Sequence, residues 1–270
     1  MNVKRVVSGL VLFPVAAAIL ILGNKYVVDV AVAILAIMCL HEFYKAFRTG
    51  EKANPITWIG YVLAGMISII HVLPRDWTVK TIGLLLPITL CILFLYVIIK
   101  NLKVNIIDIA VTFFGIFYIV IFLMYISVIH ENLEHGKLLI WFVFLTAWGT
   151  DIFAYVVGKT LGKHHFTEIS PKKTIEGCIG GTLGAVVITI LYSVLCKYAF
   201  HVEFNYVYVA LITVVLSILS QIGDLAASSV KRYTGIKDFS NLIPGHGGII
   251  DRLDSIIFVS YLFIIFIDYL

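Results

Sequence analysis

Apolar runs of about 20 residues, separated by short polar stretches, recur along the whole chain. A helix of that length crosses roughly 30 Å of hydrocarbon. The pattern predicts nine spans, at about 6–22, 26–44, 56–73, 80–99, 106–129, 138–158, 177–199, 205–230 and 252–269. The predicted architecture is therefore all-α, a polytopic membrane bundle of about nine transmembrane helices. The first run belongs to a continuing series, so it is expected to be a span and not a removable signal peptide. No appended soluble domain is expected.

Composition agrees with the pattern. The chain is 61% hydrophobic and 13% charged, with a mean hydropathy of +1.03, far from the roughly half-apolar, quarter-charged balance of soluble domains. Placement of charge sets the orientation. With the N-terminus in the cytosol, only Lys25, Arg75, Lys80, Lys137 and Lys197 of the 20 Lys and Arg residues fall outside; the opposite orientation inverts the positive-inside bias. An odd number of spans then puts the C-terminus outside. The net charge of +4 adds little, and no nucleic-acid partner is expected. Cys39, Cys91, Cys178 and Cys196 stand singly in apolar or span-edge sequence, without metal-ligand spacing, and read as core thiols.

The two halves differ. In residues 1–140 the connections, such as Phe47 to Pro55 and Lys100 to Asn105, are short turns with snorkelling lysines, so this half reads mainly as membrane scaffold. Residues 141–270 hold the two largest cytosolic segments, 159–176 and 231–251, and most of the unusual polar sequence. They read as a catalytic membrane domain.

Carboxylates inside apolar helices are costly and normally face a bundle interior or a wet cavity. Asp151, in Trp148-Gly149-Thr150-Asp151, and Asp224, in Gln221-Ile222-Gly223-Asp224, are of this kind. A buried hydrogen bond between helices explains either one alone. Beyond Asp224, steps of four and seven put Ser228 and Lys231 on the same helix face, followed by Arg232. Next come Lys237-Asp238, the turn Pro244-Gly245-His246-Gly247-Gly248, and Asp251-Arg252-Leu253-Asp254 at the start of the last span. Glycines beside His246 allow a backbone to approach a ligand closely and aim its N–H groups at an anion. Asp251 and Asp254 also suit a helix start simply as end charges. Together, carboxylates on two helix ends, cations beside them and a glycine-rich hinge suit Mg²⁺-assisted phosphoryl or nucleotidyl transfer at the membrane surface.

A second cluster precedes span seven. Ser170-Pro171 breaks the chain, and Lys172, Lys173 and Thr174 present donors before a glycine-rich helix, which favours phosphate binding there. Lys159 and Lys163 read as ordinary positive-inside residues. Gly158-Lys159-Thr160 ends like a Walker loop, but Phe153 stands where that pattern requires glycine. His41-Glu42 lacks the second histidine of a zinc-protease helix, since Lys45 occupies its place, and His164-His165 reads as a solvated or headgroup-facing pair.

The run Ser228, Lys231, Arg232, Lys237, Asp238, Ser240, Pro244, His246, Gly247, Gly248, Asp251, Arg252 and Asp254 resembles, at every fixed place, the pattern of the phosphatidate cytidylyltransferases, or CDP-diacylglycerol synthases. The resemblance takes in Asp151 and Ser170–Gly177 and covers roughly residues 140–270. It implies that a phosphatidate oxygen attacks the α-phosphorus of CTP, releasing pyrophosphate and leaving CDP-diacylglycerol in the membrane. It implies a divalent-metal enzyme and a homodimer; the charge placement above puts its active site on the cytosolic face of the cell membrane. Asp224 and Asp251 are then the expected ligands of Mg²⁺, alone or with a second cation. Asp151 and Asp254 are expected as supporting carboxylates, and Lys231 and Arg232 as catalytic cations. Lys172, Lys173, Ser228, Lys237, His246, Gly247, Gly248 and Arg252 are expected on the substrate phosphates. A CDP-alcohol phosphotransferase would require a run of Asp-Gly, Ala-Arg and two spaced aspartates in one helix, which is absent. A secondary transporter with Asp151 and Asp224 on a cation path would be favoured by an inverted repeat, and none is visible.

Overall fold

The computed structural model describes residues 14–72, 75–101, 103–132, 135–243 and 247–267, and their side chains except at 70–82 and 132. The predicted span at 6–22 therefore lies partly outside the described residues, and so does His246. Among the described residues the chain is helical, with no strand beyond two isolated bridges, His165 to Thr174 and Ile243 to Gly247. The helices are α1 (14–22), α2 (Lys25–Thr49), α3 (Thr57–Met66), α4 (Arg75–Ile99), α5 (Ile106–Gly115), α6 (Phe122–Asn132), α7 (Gly136–Leu161), α8 (Ile175–Leu195), α9 (Tyr206–Thr234) and α10 (Ile250–Phe266). A 3₁₀ segment follows α3, and a π segment at Ile116–Ile121 joins α5 to α6.

Among the described residues five helical stretches are long and apolar enough to cross a membrane: Lys25–Thr49, Ile106–Glu131, Gly136–Leu161, Ile175–Phe200 and Tyr206–Thr234. Thr57–Ile69 and Gly83–Ile99 are apolar but shorter, and α10 has 17 residues. Within the predicted span at 56–73 the α-helix runs for ten residues and continues as a 3₁₀ segment to Val72.

The chain forms two compact units, Met1–Asn132 with Lys231–Arg252, and Leu133–Val230 with Leu253–Leu270. In the first, α2 is the central element. Asn24 caps it by accepting from the Val27 N–H at 3.0 Å. Val28, Val32, Ala36, Cys39, Leu40, Phe43 and Tyr44 are buried at helical spacing. The Tyr44 hydroxyl donates to the Thr112 carbonyl at 2.9 Å, so this ring brings its own hydrogen-bond partner into the core.

In the second unit α7 and α8 form a hairpin whose closeness depends on small residues. A Cβ added at Gly177 would stand 2.8 Å from the Ala154 carbonyl oxygen, and one at Gly181 would stand 2.7 Å from that of Thr150. Gly177, Gly181 and Ala185 follow one another at steps of four, the small-residue spacing that lets helices approach within a membrane. A buried polar chain crosses the same unit. Thr150 Oγ1 donates to Ser217 Oγ at 2.8 Å, Ser217 Oγ to Thr182 Oγ1 at 3.0 Å, and Gln221 Nε2 to Thr182 Oγ1 at 3.2 Å. Polar groups buried away from water are costly unless hydrogen-bonded, and this chain of contacts adds to the backbone acceptors that Thr150 and Gln221 also reach. Gly181→Val is expected to force α7 and α8 apart and to cost about 1–3 kcal/mol. A lowered midpoint of thermal inactivation in detergent is the measurement that checks it.

Candidate active site

In the first unit the last turn of α9, the following loop and the start of α10 meet around Asp251, whose side chain is only 3% exposed. Its Oδ2 accepts the N–H of Phe239 at 3.0 Å and of Gly248 at 2.9 Å. Its Oδ1 accepts the Lys231 ammonium at 2.7 Å. Lys231 is 12% exposed, and its Nζ also lies 5.6 Å from the centre of the Phe239 ring. Two amide donors and one ammonium thus fix a buried carboxylate in one orientation, with Oδ1 the oxygen that faces positive charge.

Gly247 takes a positive φ of 87°, a conformation that favours glycine, and a Cβ there would stand 3.0 Å from Asp251 Oδ2. The neighbouring turn is filled by a residue that sequence reasoning weighed only as part of a zinc-protease helix. Glu42, 3% exposed on α2, accepts the Ser240 hydroxyl and the N–H of Ile249 on Oε1, and the N–H of Ile250 on Oε2, both amides at 3.0 Å. The available signal was a carboxylate in an apolar helix, the same signal that singled out Asp151 and Asp224. Arg232, Lys237 and Arg252 belong to this unit and are exposed.

In the second unit the 162–174 loop is organised by local chemistry. Pro171 occupies the second position of a turn closed by the Lys173 N–H to the Ser170 carbonyl, 3.0 Å. Thr174 caps α8 by accepting from the Gly177 N–H at 3.1 Å. The turn leaves Lys172 exposed at its tip and sends Lys173 inward, where its Nζ lies 2.6 Å from Asp224 Oδ2. These side chains are 21% and 29% exposed. Glu176 fastens the other end of the loop. It accepts the N–H of Lys163 at 3.1 Å and of His164 at 3.3 Å, and pairs with His164 Nδ1 at 2.6 Å. His164 and His165 are exposed, as the reading of a solvated pair expects, and His164 has in addition a local structural partner in Glu176.

Asp151 and Asp254 are brought together in this unit through Ser255. The Ser255 hydroxyl lies 3.1 Å from Asp151 Oδ2 and 3.3 Å from Asp254 Oδ1, so one proton is shared between two carboxylates. Asp254 also accepts the Ser255 N–H at 2.8 Å. Ser228 is buried on α9. Asp224 belongs to the second unit and Asp251 to the first.

Among the described residues no group of three or more His, Cys, Asp or Glu side chains comes together as a self-contained metal cage. The carboxylates at hand suit Mg²⁺, which takes one or two hard protein oxygens and completes its octahedron with water and phosphate. Asp224 Oδ2 and Asp251 Oδ1 each already face a positive charge, an ammonium within 2.7 Å.

The comparisons with known proteins bear on the same residues. The profile of the Cytidylyltransferase family matches residues 3–270. The chain is 33% identical over 235 residues to a phosphatidate cytidylyltransferase of Staphylococcus saprophyticus, covering 83% of this chain and 86% of that one. It is 30% identical to one of Synechocystis, over 99% of this chain and 97% of that one. A third, from Bacillus subtilis, is 42% identical over 127 residues, 47% of this chain and 46% of the relative. With the profile spanning nearly the whole length and one relative aligned over 99% of the chain, the chain belongs to the cytidylyltransferase family.

Proposed function

We infer that the chain is a phosphatidate cytidylyltransferase of phospholipid biosynthesis, which transfers CMP from CTP to phosphatidate and yields CDP-diacylglycerol and pyrophosphate. The observation that carries this reading is the end-to-end similarity to phosphatidate cytidylyltransferases, 30% identity over 99% of the chain in one case. In the reaction a phosphate oxygen of phosphatidate forms a bond to the α-phosphorus of CTP. The bond from that phosphorus to the bridging oxygen of the β-phosphate breaks, and its electron pair leaves with pyrophosphate.

The chemistry asks for positioning and charge stabilisation more than for a nucleophile on the protein. Mg²⁺, when bound, supplies a Lewis acid that holds the triphosphate and stabilises charge on the leaving group. Asp224 and Asp251 are its proposed ligands, each through the oxygen that faces an ammonium. Lys173 and Lys231 would then turn to phosphate oxygens, a role shared with Lys172, Arg232, Lys237 and Arg252. Asp151 and Asp254 support the site through the Ser255 hydroxyl. Ser228, His246, Gly247 and Gly248 line the phosphates. What favours these assignments is the pairing of each carboxylate with a cation from the residues that carry the resemblance.

The bilayer setting is part of the proposal. Nine spans, a cytosolic N-terminus and a cytosolic site in the cell membrane follow from hydropathy and the positive-inside bias. The homodimer rests on the family resemblance alone. Purified protein given labelled CTP, phosphatidate and Mg²⁺ is expected to release pyrophosphate and CDP-lipid in equal amounts. Absence of both products with folded protein would overturn the reading.

A further inference from the structure

We propose that Glu42, on α2, is a positioning residue that locks the 248–250 turn at the start of α10 and thereby presents Asp251 Oδ1 to the metal. The proposal rests on the reading of Asp251 as a metal ligand. Three consecutive backbone N–H groups at this helix start are each committed to a carboxylate: Gly248 to Asp251 Oδ2 at 2.9 Å, Ile249 to Glu42 Oε1 and Ile250 to Glu42 Oε2, both at 3.0 Å. A helix N-terminus of this kind could receive a phosphate. Here Asp251 and Glu42 already accept these three N–H groups, so the N–H groups themselves serve to hold Asp251.

Three features tie Glu42 to this task. The first is reach, since its partners lie about 200 residues away in sequence, at separations of 198, 207 and 208. The second is space: a Cβ on Gly248 would stand 2.5 Å from Glu42 Oε2, so glycine at 248 makes room for the Glu42 carboxylate. The third is connectivity. Ser240 donates to Glu42 while its own Oγ accepts the Leu242 N–H at 3.2 Å, and its neighbour Phe239 donates to Asp251. Glu42 and Asp251 therefore grip the same loop and the same turn from two helices. An outer carboxylate that fixes the orientation of a ligating one is a recurrent arrangement at metal sites, and its loss costs about 10–100-fold in metal affinity or activity.

Glu42→Gln keeps the shape but sets an –NH₂ group against a backbone N–H, so one donor loses its acceptor. Expected for this variant, with folded fraction matched by circular dichroism, is a turnover about 10–100-fold below wild type and a half-saturating Mg²⁺ concentration raised by a similar factor. Mn²⁺ binding, followed by electron paramagnetic resonance without phosphatidate, is expected to weaken in parallel. Ser240→Ala, which removes one of three contacts, is expected to shift both metal readouts in the same direction and by less. A purely structural role for Glu42 lowers the amount of active enzyme and leaves the metal midpoints where they are. Mn²⁺ and Mg²⁺ midpoints equal to wild type in Glu42→Gln would therefore overturn the proposal. If wild type made no CDP-lipid, the enzymatic reading would fail, while the Mn²⁺ comparison would still decide the role of Glu42.

Discussion

Asp224→Asn is expected to reduce CTP-dependent CDP-lipid formation by about 10³-fold, the scale of losing a principal electrostatic stabiliser of the transition state, while leaving the protein folded. The reason for the separation is exposure. Asp224 is 29% exposed and Lys173 21%, so their ion pair is partly solvated and contributes about 1 kcal/mol or less to stability. The amide retains the size of the side chain and a carbonyl oxygen, but loses the charge that a divalent cation requires. Steady-state assays in detergent, paired with thermal inactivation, measure both halves of the prediction. A variant with wild-type turnover would remove Asp224 from the metal site.

Asp251→Asn is expected to lose activity to a similar degree and to lose stability as well. Its Oδ2 accepts two buried amides and its Oδ1 a largely buried ammonium, so the asparagine –NH₂ group must oppose one set of donors or the other. Removing one partner of a buried pair leaves an uncompensated charge, here that of Lys231, at a cost of about 3–5 kcal/mol. Lys231→Met in the Asp251→Asn background is expected to recover a large part of that stability and none of the activity. Thermal inactivation of the two single variants and the double variant gives the coupling energy. A double variant no more stable than Asp251→Asn would show that Lys231 is not the source of the loss. The contrast between the two aspartates is thus itself testable: Asp224 separates activity from stability, whereas Asp251 couples them.

Much of the fold was legible along the chain. Long apolar runs become long helices because a buried backbone must satisfy its own hydrogen bonds, and α2, α7, α8 and α9 follow their predicted runs to within a few residues. The run at 56–73 was less legible, because hydropathy counts residues and does not register the change from α to 3₁₀ geometry. Motif spacing picked out Lys231, Asp251, Lys173 and Asp224 as a set. It could not say which cation would pair with which carboxylate, since Lys172 and Lys173 are adjacent in sequence and only the Ser170–Lys173 turn sends one outward and the other in.

Glu42 shows most sharply where linear reading ends. Its chemistry, a carboxylate in an apolar helix, was visible, but its position in a half that reads as scaffold suggested no partner. The partners are amides whose identity depends on chain crossing and on the glycine at 248. The Ser255 bridge between Asp151 and Asp254 is of the same kind. Residue order settles hydropathy, charge bias and local turn chemistry, because these depend on neighbours within a helical turn or two. Which buried carboxylate meets which donor across a hundred or more residues depends on packing, and so it emerged with the folded chain.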